Sequence, residues 1–134
     1  MSPVQHPVTG HFLRFSLADE MRTVRDALGT SRERVGRTLV KDGPLRLTLV
    51  AVGPGGAMEP HRAEGPIAVH VLEGEIVFEA EGQSWTLGAG ELLALEHGIP
   101  HAVRSERGGV FLLTVVLPPG AGSGASRRAD ANAG

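Results

Sequence analysis

The chain of 134 residues contains no cysteine, which excludes disulfides, thiolate-ligated zinc and thiol nucleophiles. Lysine is almost absent as well: Lys41 stands alone among 13 basic residues, the rest being arginine. Those 13 face 15 acids for a net charge of −2. A nucleic-acid binder concentrates positive charge on one face, and without a surplus no nucleic-acid partner is expected. No window approaches the roughly 18 apolar residues of a membrane span, so no membrane partner is expected either. The opening MSPVQHPVTGHF lacks the basic start and apolar stretch of a signal peptide, which makes a cytoplasmic location the expectation. The glycine-rich GPGG at 53–56 lacks the Gly-Lys-Ser/Thr that would make it a phosphate loop. The last stretch, PPGAGSGASRRADANAG, holds no large apolar residue with which to offset its ordering entropy.

Three regions follow from composition and period. Residues 1–15 show no periodicity and are expected to form a flexible arm. Residues 16–117 form a single domain, and residues 118–134 are expected to be a disordered tail. The domain opens with one helix over 17–28. Leu17, Met21, Val24 and Leu28 recur at helical spacing, Ser16 is placed to cap, Asp19 sits in the first turn, and Gly29 can end it.

The period then changes. Thr30 to Gly36 is charged and reads as a turn, after which residues alternate in twos over short runs. Strands are predicted at 37–41, 45–52, 75–80, 83–87, 91–95, 101–105 and 110–117. In the second of these Leu45, Leu47 and Leu49 alternate with Arg46 and Thr48. Glu81-Gly82 reads as a hairpin turn. Val110 to Leu117 is apolar almost throughout, so both of its faces must be covered. Short strands punctuated by glycine turns indicate an antiparallel sandwich or barrel.

Two stretches carry chemistry, GPGGAMEPHRAEGPIAVHVLEGE at 53–75 and GAGELLALEHGIPH at 88–101. Each sets a histidine beside glycine and proline turns, next to an apolar strand. Gly55 and His61 are separated by five residues and Gly74 closes the first stretch; Gly90, Gly98 and His101 space the second. In these respects the chain resembles the cupin superfamily over about half its length. The resemblance implies an all-β fold, the double-stranded β-helix or cupin jelly-roll barrel, here with one N-terminal α-helix.

The same resemblance implies a divalent transition metal (iron, manganese, nickel, zinc or copper) held by His61 and His101. The usual second histidine and the glutamate would fall at Ala63 and Ile67, the second motif's proline at Glu96 and its asparagine at Ser105. A third ligand is sought in His70 or Glu64. Strict alternation sets His70 with Ala68 and Leu72, opposite Ile67, so His70 joins the site only if the Gly65-Pro66 step shifts the register.

Three functions remain open at this level. One is a metal- and small-molecule-binding cupin, one a metal-dependent dioxygenase, isomerase or cyclase, and one a metal-free binding or sensing cupin. No catalytic residue is assigned. A homodimer is expected, because the strands offer more apolar surface than a small barrel can turn inward.

Overall fold

The computed structural model describes residues 6–29 and 33–118. Of the tail expected at 118–134, all but Pro118 lies outside the described residues. One helix, α1 (Leu17–Leu28), precedes eight strands: β1 (Arg34–Asp42), β2 (Leu45–Val52), β3 (Ala57–His61), β4 (Ile67–Ala80), β5 (Gln83–Gly88), β6 (Leu92–Leu95), β7 (His101–Arg104) and β8 (Gly109–Val116). All pairings are antiparallel.

The long strand β4 organises the rest. Its first half lies in a sheet ordered β1-β2-β8-β4-β6, and its second half in a sheet ordered β5-β4-β7-β3. The crossover falls where the register shifts, between Val71 and Glu73, beside Gly74. Gly74 adopts φ 71°, and a Cβ there would sit 2.3 Å from the Gly108 carbonyl oxygen, so only glycine fits. The sheets close around Val50, Val52, Val69, Val71, Ile76, Phe78, Val103, Phe111, Leu113 and Val115. The β4–β5 hairpin turns at Glu81 and Gly82, both with positive φ (51° and 73°), the two-residue turn that matches strand twist.

Arg46 and Thr48 share the face of the interior residues Val50 and Val52 and are buried, while Leu49 faces outward under the helix. Period shows that a strand has two faces; it does not show which one a helix will cover. The Arg46 guanidinium is held at the hairpin by donating from Nη1 to the carbonyls of Gly43 (2.8 Å) and Leu45 (2.9 Å).

The helix has the bounds that its pattern predicts. The Ser16 hydroxyl accepts from the Asp19 N–H at 3.3 Å, and Gly29 ends the helix with φ 61°, its N–H donating to the Arg25 carbonyl. Val24 and Leu28 pack on Leu39, Val40, Leu49, Ala51 and Val110 in a second cluster outside the barrel. A bulge between Thr38 and Val40 turns the adjacent residues Leu39 and Val40 toward it. Glu20 accepts from Arg37 Nε at 2.6 Å, and this ion pair is mostly covered, with side-chain exposures of 15% and 13%. Part of the arm is anchored too: Lys41 N–H donates to the Val8 carbonyl, and Leu13 and Phe15 pack against the second cluster.

Apart from one-residue shifts at strand ends, three elements differ from the sequence pattern, the first being β3 (Ala57–His61), which is not among the predicted strands. β1 begins at Arg34, inside the charged stretch read as a turn, because Arg34 pairs with Val52 and the Glu33 carbonyl accepts from Gly53. β4 is one strand of 14 residues, where alternation shows separate runs on either side of the glycine bend. Among the described residues no helix is long and apolar enough to cross a membrane.

The second cluster makes the helix part of the folding unit. Replacing Leu28 with alanine is expected to cost about 2–3 kcal/mol by urea denaturation, the cost of a cavity in a packed core. Leu17→Ala, at the exposed helix start, should cost no more than about 0.5 kcal/mol. Equal small losses at both positions would show that the helix does not bind the barrel.

Candidate functional site: a histidine pair at the barrel rim

His61 is the last residue of β3 and His101 the first of β7, and the two are register partners. Pro60, which has no N–H to give to a ladder, sits where the register slips between Met58 and His61. His101 is also opposite Ala80 of β4. Two strand pairings therefore fix its backbone. The loops behind the histidines are tied to each other, with Gly98 N–H donating to the Ala63 carbonyl and Arg62 Nη1 to the Gly98 carbonyl, both at 3.2 Å.

The imidazole rings meet edge to face, with centroids 4.3 Å apart and planes at 61°. His101 is buried (5% exposed) and stacks on Phe78, centroids 5.3 Å apart at 12°. His61 is half-buried. Each ring is held in the same way, Nδ1 lying 3.0 Å from the Glu59 carbonyl in His61 and 3.1 Å from the Ile99 carbonyl in His101. A carbonyl can only accept, so Nδ1 carries the proton in both rings, and in the neutral imidazole the lone pair is on Nε2. Neither Nε2 has a hydrogen-bond partner among the described residues. Burial pushes the His101 pKa below 6.5; the Ile99 bond works against that shift, and the neighbouring His61 adds to it.

The pair is reached from the rim. A cleft of about 430 Å³ runs past His61 between Glu33, Arg34, Met58 and Glu59. A groove of about 360 Å³ meets His101 from the side of Glu79, Gln83 and Ser84, and Pro60 borders both. On the inner side the surroundings are apolar: Ile67, Met58 and Val103 belong to the interior cluster, with Ala63, Trp85, Leu93, Leu95 and Ile99 packed on it.

Of the sequence-derived ligand candidates, the structure brings together His61 and His101 and leaves His70 apart. The register through the first half of β4 is regular from Ile67 to Val71, and its shift comes after His70. His70 therefore shares a face with Ala68 and Leu72, outside the barrel, while its neighbours Val69 and Val71 point in. Glu64 is half-buried in the loop after His61. Among the described residues no three His, Cys, Asp or Glu side chains gather into a metal-holding group. Ala63 and buried Ile67 occupy the other two ligand positions with carbon. This donor set ends at two imidazoles and does not fit the four-ligand centre that the resemblance implies.

Ser105, at the place of the motif's asparagine, is structural. It is buried, its hydroxyl donates to the Glu75 carbonyl at 2.6 Å and accepts from Gly108 N–H at 2.9 Å, and so it clamps the β7–β8 turn onto β4. Sequence reasoning missed Phe78 as the platform for His101 and the Glu59 and Ile99 carbonyls that set both tautomers. The only sequence signal for these was the alternation of β4; the carbonyls leave no trace in residue type.

The cupin-domain family model matches residues 48–117, which is more than half of the chain. No curated protein matches it. Among solved structures, a conserved protein of unknown function from Streptococcus pyogenes superposes with a TM-score of 0.66 at 23% identity, covering 84% of this chain and 93% of its own. A cupin superfamily protein from Desulfitobacterium hafniense does so at 0.63 and 18%, over 69% and 86%. The cupin domain of an XRE family transcriptional regulator from Enterobacter cloacae does so at 0.58 and 23%, over 65% and 99%. Identities this low speak to the fold alone, and the motif spacing, the two-sheet barrel and the matched family model agree: the chain belongs to the cupin family.

Proposed function

We propose that this cupin is a binding or sensing module that takes a small organic molecule at the barrel rim, with His61 and His101 as its polar contacts and no resident metal. The observation that carries this is the orientation of the pair. Two imidazoles stand 4.3 Å apart, tethered through Nδ1, with both Nε2 lone pairs uncommitted and carbon side chains at positions 63 and 67. Such a site offers two hydrogen-bond acceptors over an apolar floor, which suits recognition of a ligand with donors. The described residues hold no third ligand to complete a catalytic metal and no nucleophile positioned by a base. The regulator from Enterobacter cloacae, whose cupin domain shares this fold, is in keeping with a binding role.

A second reading, binding of a divalent metal, is favoured by one feature. Imidazoles tied through Nδ1 to carbonyls are in the tautomer that presents Nε2 to a metal. Binding, metal content and turnover separate the two. Titration calorimetry with a panel of small amines, polyols, organic acids and diketones is expected to yield a saturable ligand after exhaustive chelation. His61→Ala and His101→Ala should each weaken it at least tenfold, about 1.4 kcal/mol. One equivalent of metal in the purified protein, lost in both variants, would establish the second reading, and oxygen uptake or turnover with any member of the panel would make it an enzyme.

The lowered His101 pKa also sets the acid response. The unfolded imidazole takes up its proton near 6.5, and the folded one only at lower pH. Below that value the unfolded state binds more protons, so stability falls as pH drops until folded His101 protonates as well; above it His101 contributes no pH dependence. His101→Asn keeps an N–H for the Ile99 carbonyl and cannot titrate, so its melting temperature should fall less than the wild type's between pH 7 and pH 5. An equal fall in both proteins would remove His101 as the cause.

A further inference from the structure

The two depressions that reach the histidine pair share a charge bias. The cleft past His61 is lined by the carboxylates of Glu33 and Glu59 and by one guanidinium, Arg34. The groove that meets His101 is lined by Glu79 and Glu81 and by no lysine or arginine. Four acids thus stand against one base around two imidazoles, in a chain whose acids and bases are nearly balanced at 15 and 13. The arginines nearby do little to cancel this. Arg104 Nε lies 3.8 Å from Glu79 Oε1, a half-exposed pair too long for a hydrogen bond and worth little in water. Arg62 is engaged by the Gly98 carbonyl.

Acids alone would mark only a solvated rim. What gives them a direction is the imidazole beside them: His101 is 5% exposed, lines the groove, and has no protein partner for Nε2. With His61 it presents two acceptors, so the lining is dominated by acceptors and negative charge. A ligand that suits it brings donors and positive charge. An alkyl ammonium carries three donors on one nitrogen, enough for both Nε2 atoms and one rim carboxylate. Its chain would meet the apolar floor of Met58, Ile67 and Val103. A carboxylate or phosphate would bring acceptors to acceptors and negative charge to negative charge.

We propose that the site takes a small primary aliphatic amine in its ammonium form, with His61 and His101 accepting from the nitrogen and Glu33 and Glu59 supplying the opposite charge. The proposal rests on the binding role argued above and adds the class of ligand. The cleft of about 430 Å³ is of a size for such a molecule, within the range of small-molecule sites. A neutral His101 is what an ammonium needs as a neighbour, and burial favours that form. The two carboxylates are exposed side chains, whereas it is the backbone carbonyl of Glu59 that holds His61, so the charge and the ring orientation can be altered separately.

Three probes of one chain length test it: hexylamine, 1-hexanol and hexanoate, added to the full chain after exhaustive chelation. The readout is the nitrogen-15 shifts of the two Nε2 atoms at pH 7.5, where an alkylamine is protonated. Hexylamine is expected to shift both signals and to bind at least about tenfold more tightly than hexanol, while hexanoate shifts neither. Raising the salt from about 0.05 to about 0.5 M should narrow the gap between amine and alcohol, because contacts to exposed carboxylates are screened. Glu33→Gln combined with Glu59→Gln should narrow it too, with an unchanged far-ultraviolet spectrum as the check on folding. Hexanol or hexanoate binding as tightly as the amine would overturn the amine class and leave the binding role standing. An amine affinity unmoved by salt and by the double variant would also overturn it. Silence from all three probes beside a ligand from the wider panel removes the amine class alone; silence across the whole panel removes the binding role with it.

Discussion

The fold depends on one close approach, where Gly74 of β4 lies against the backbone of Gly108 and Gly109. A side chain at Gly74 would strike the Gly108 carbonyl, and a Cβ at Gly109 would come within 3.0 Å of Glu75 backbone atoms. Because neither carries one, a single strand can leave one sheet and enter the other. The clamp is reinforced by Ser105, whose hydroxyl bridges the Glu75 carbonyl and the Gly108 N–H. The site follows from the crossover. The second half of β4 sets Ala80 beside His101 and stacks Phe78 on its ring; the first half turns Ile67 inward and His70 outward.

Much of this was legible in residue types. Helix α1 could be read from its cap, its stripe and its stop, because each is a local signal that tertiary packing did not override. The cupin barrel was legible through glycines at 55, 74, 90 and 98, all of which take positive φ here. Histidines 40 positions apart could be paired only through the family resemblance, since nothing local links them. What the sequence hid was direction. Arg46 and Thr48 look like a solvated face, yet they line the inner side, because α1 takes the leucine face of β2. His70 looks like a ligand by residue type alone; only an unbroken register through Val71 shows that it lies outside.

The departures from the cupin motif have a physical meaning beyond loss. Ala63 and Ile67 put carbon where the motif has donors, and the two remaining imidazoles are held by carbonyls that fix their protons on Nδ1. Removing two ligands from a metal centre leaves a weak donor pair. His101 is buried and His61 half-buried, and an Nε2 without a protein partner is open to a group with an N–H or O–H. The proposed binding role rests on that arrangement.

The orientation of the two rings is the central claim, and nitrogen-15 correlation spectra of the histidine side chains test it most directly. At pH 7.5, without added ligand, both His61 and His101 should show a protonated Nδ1 and a bare Nε2, and saturating ligand should shift both Nε2 signals together. A protonated Nε2 on either ring in the free protein, or a ligand that moves neither signal, would contradict the account.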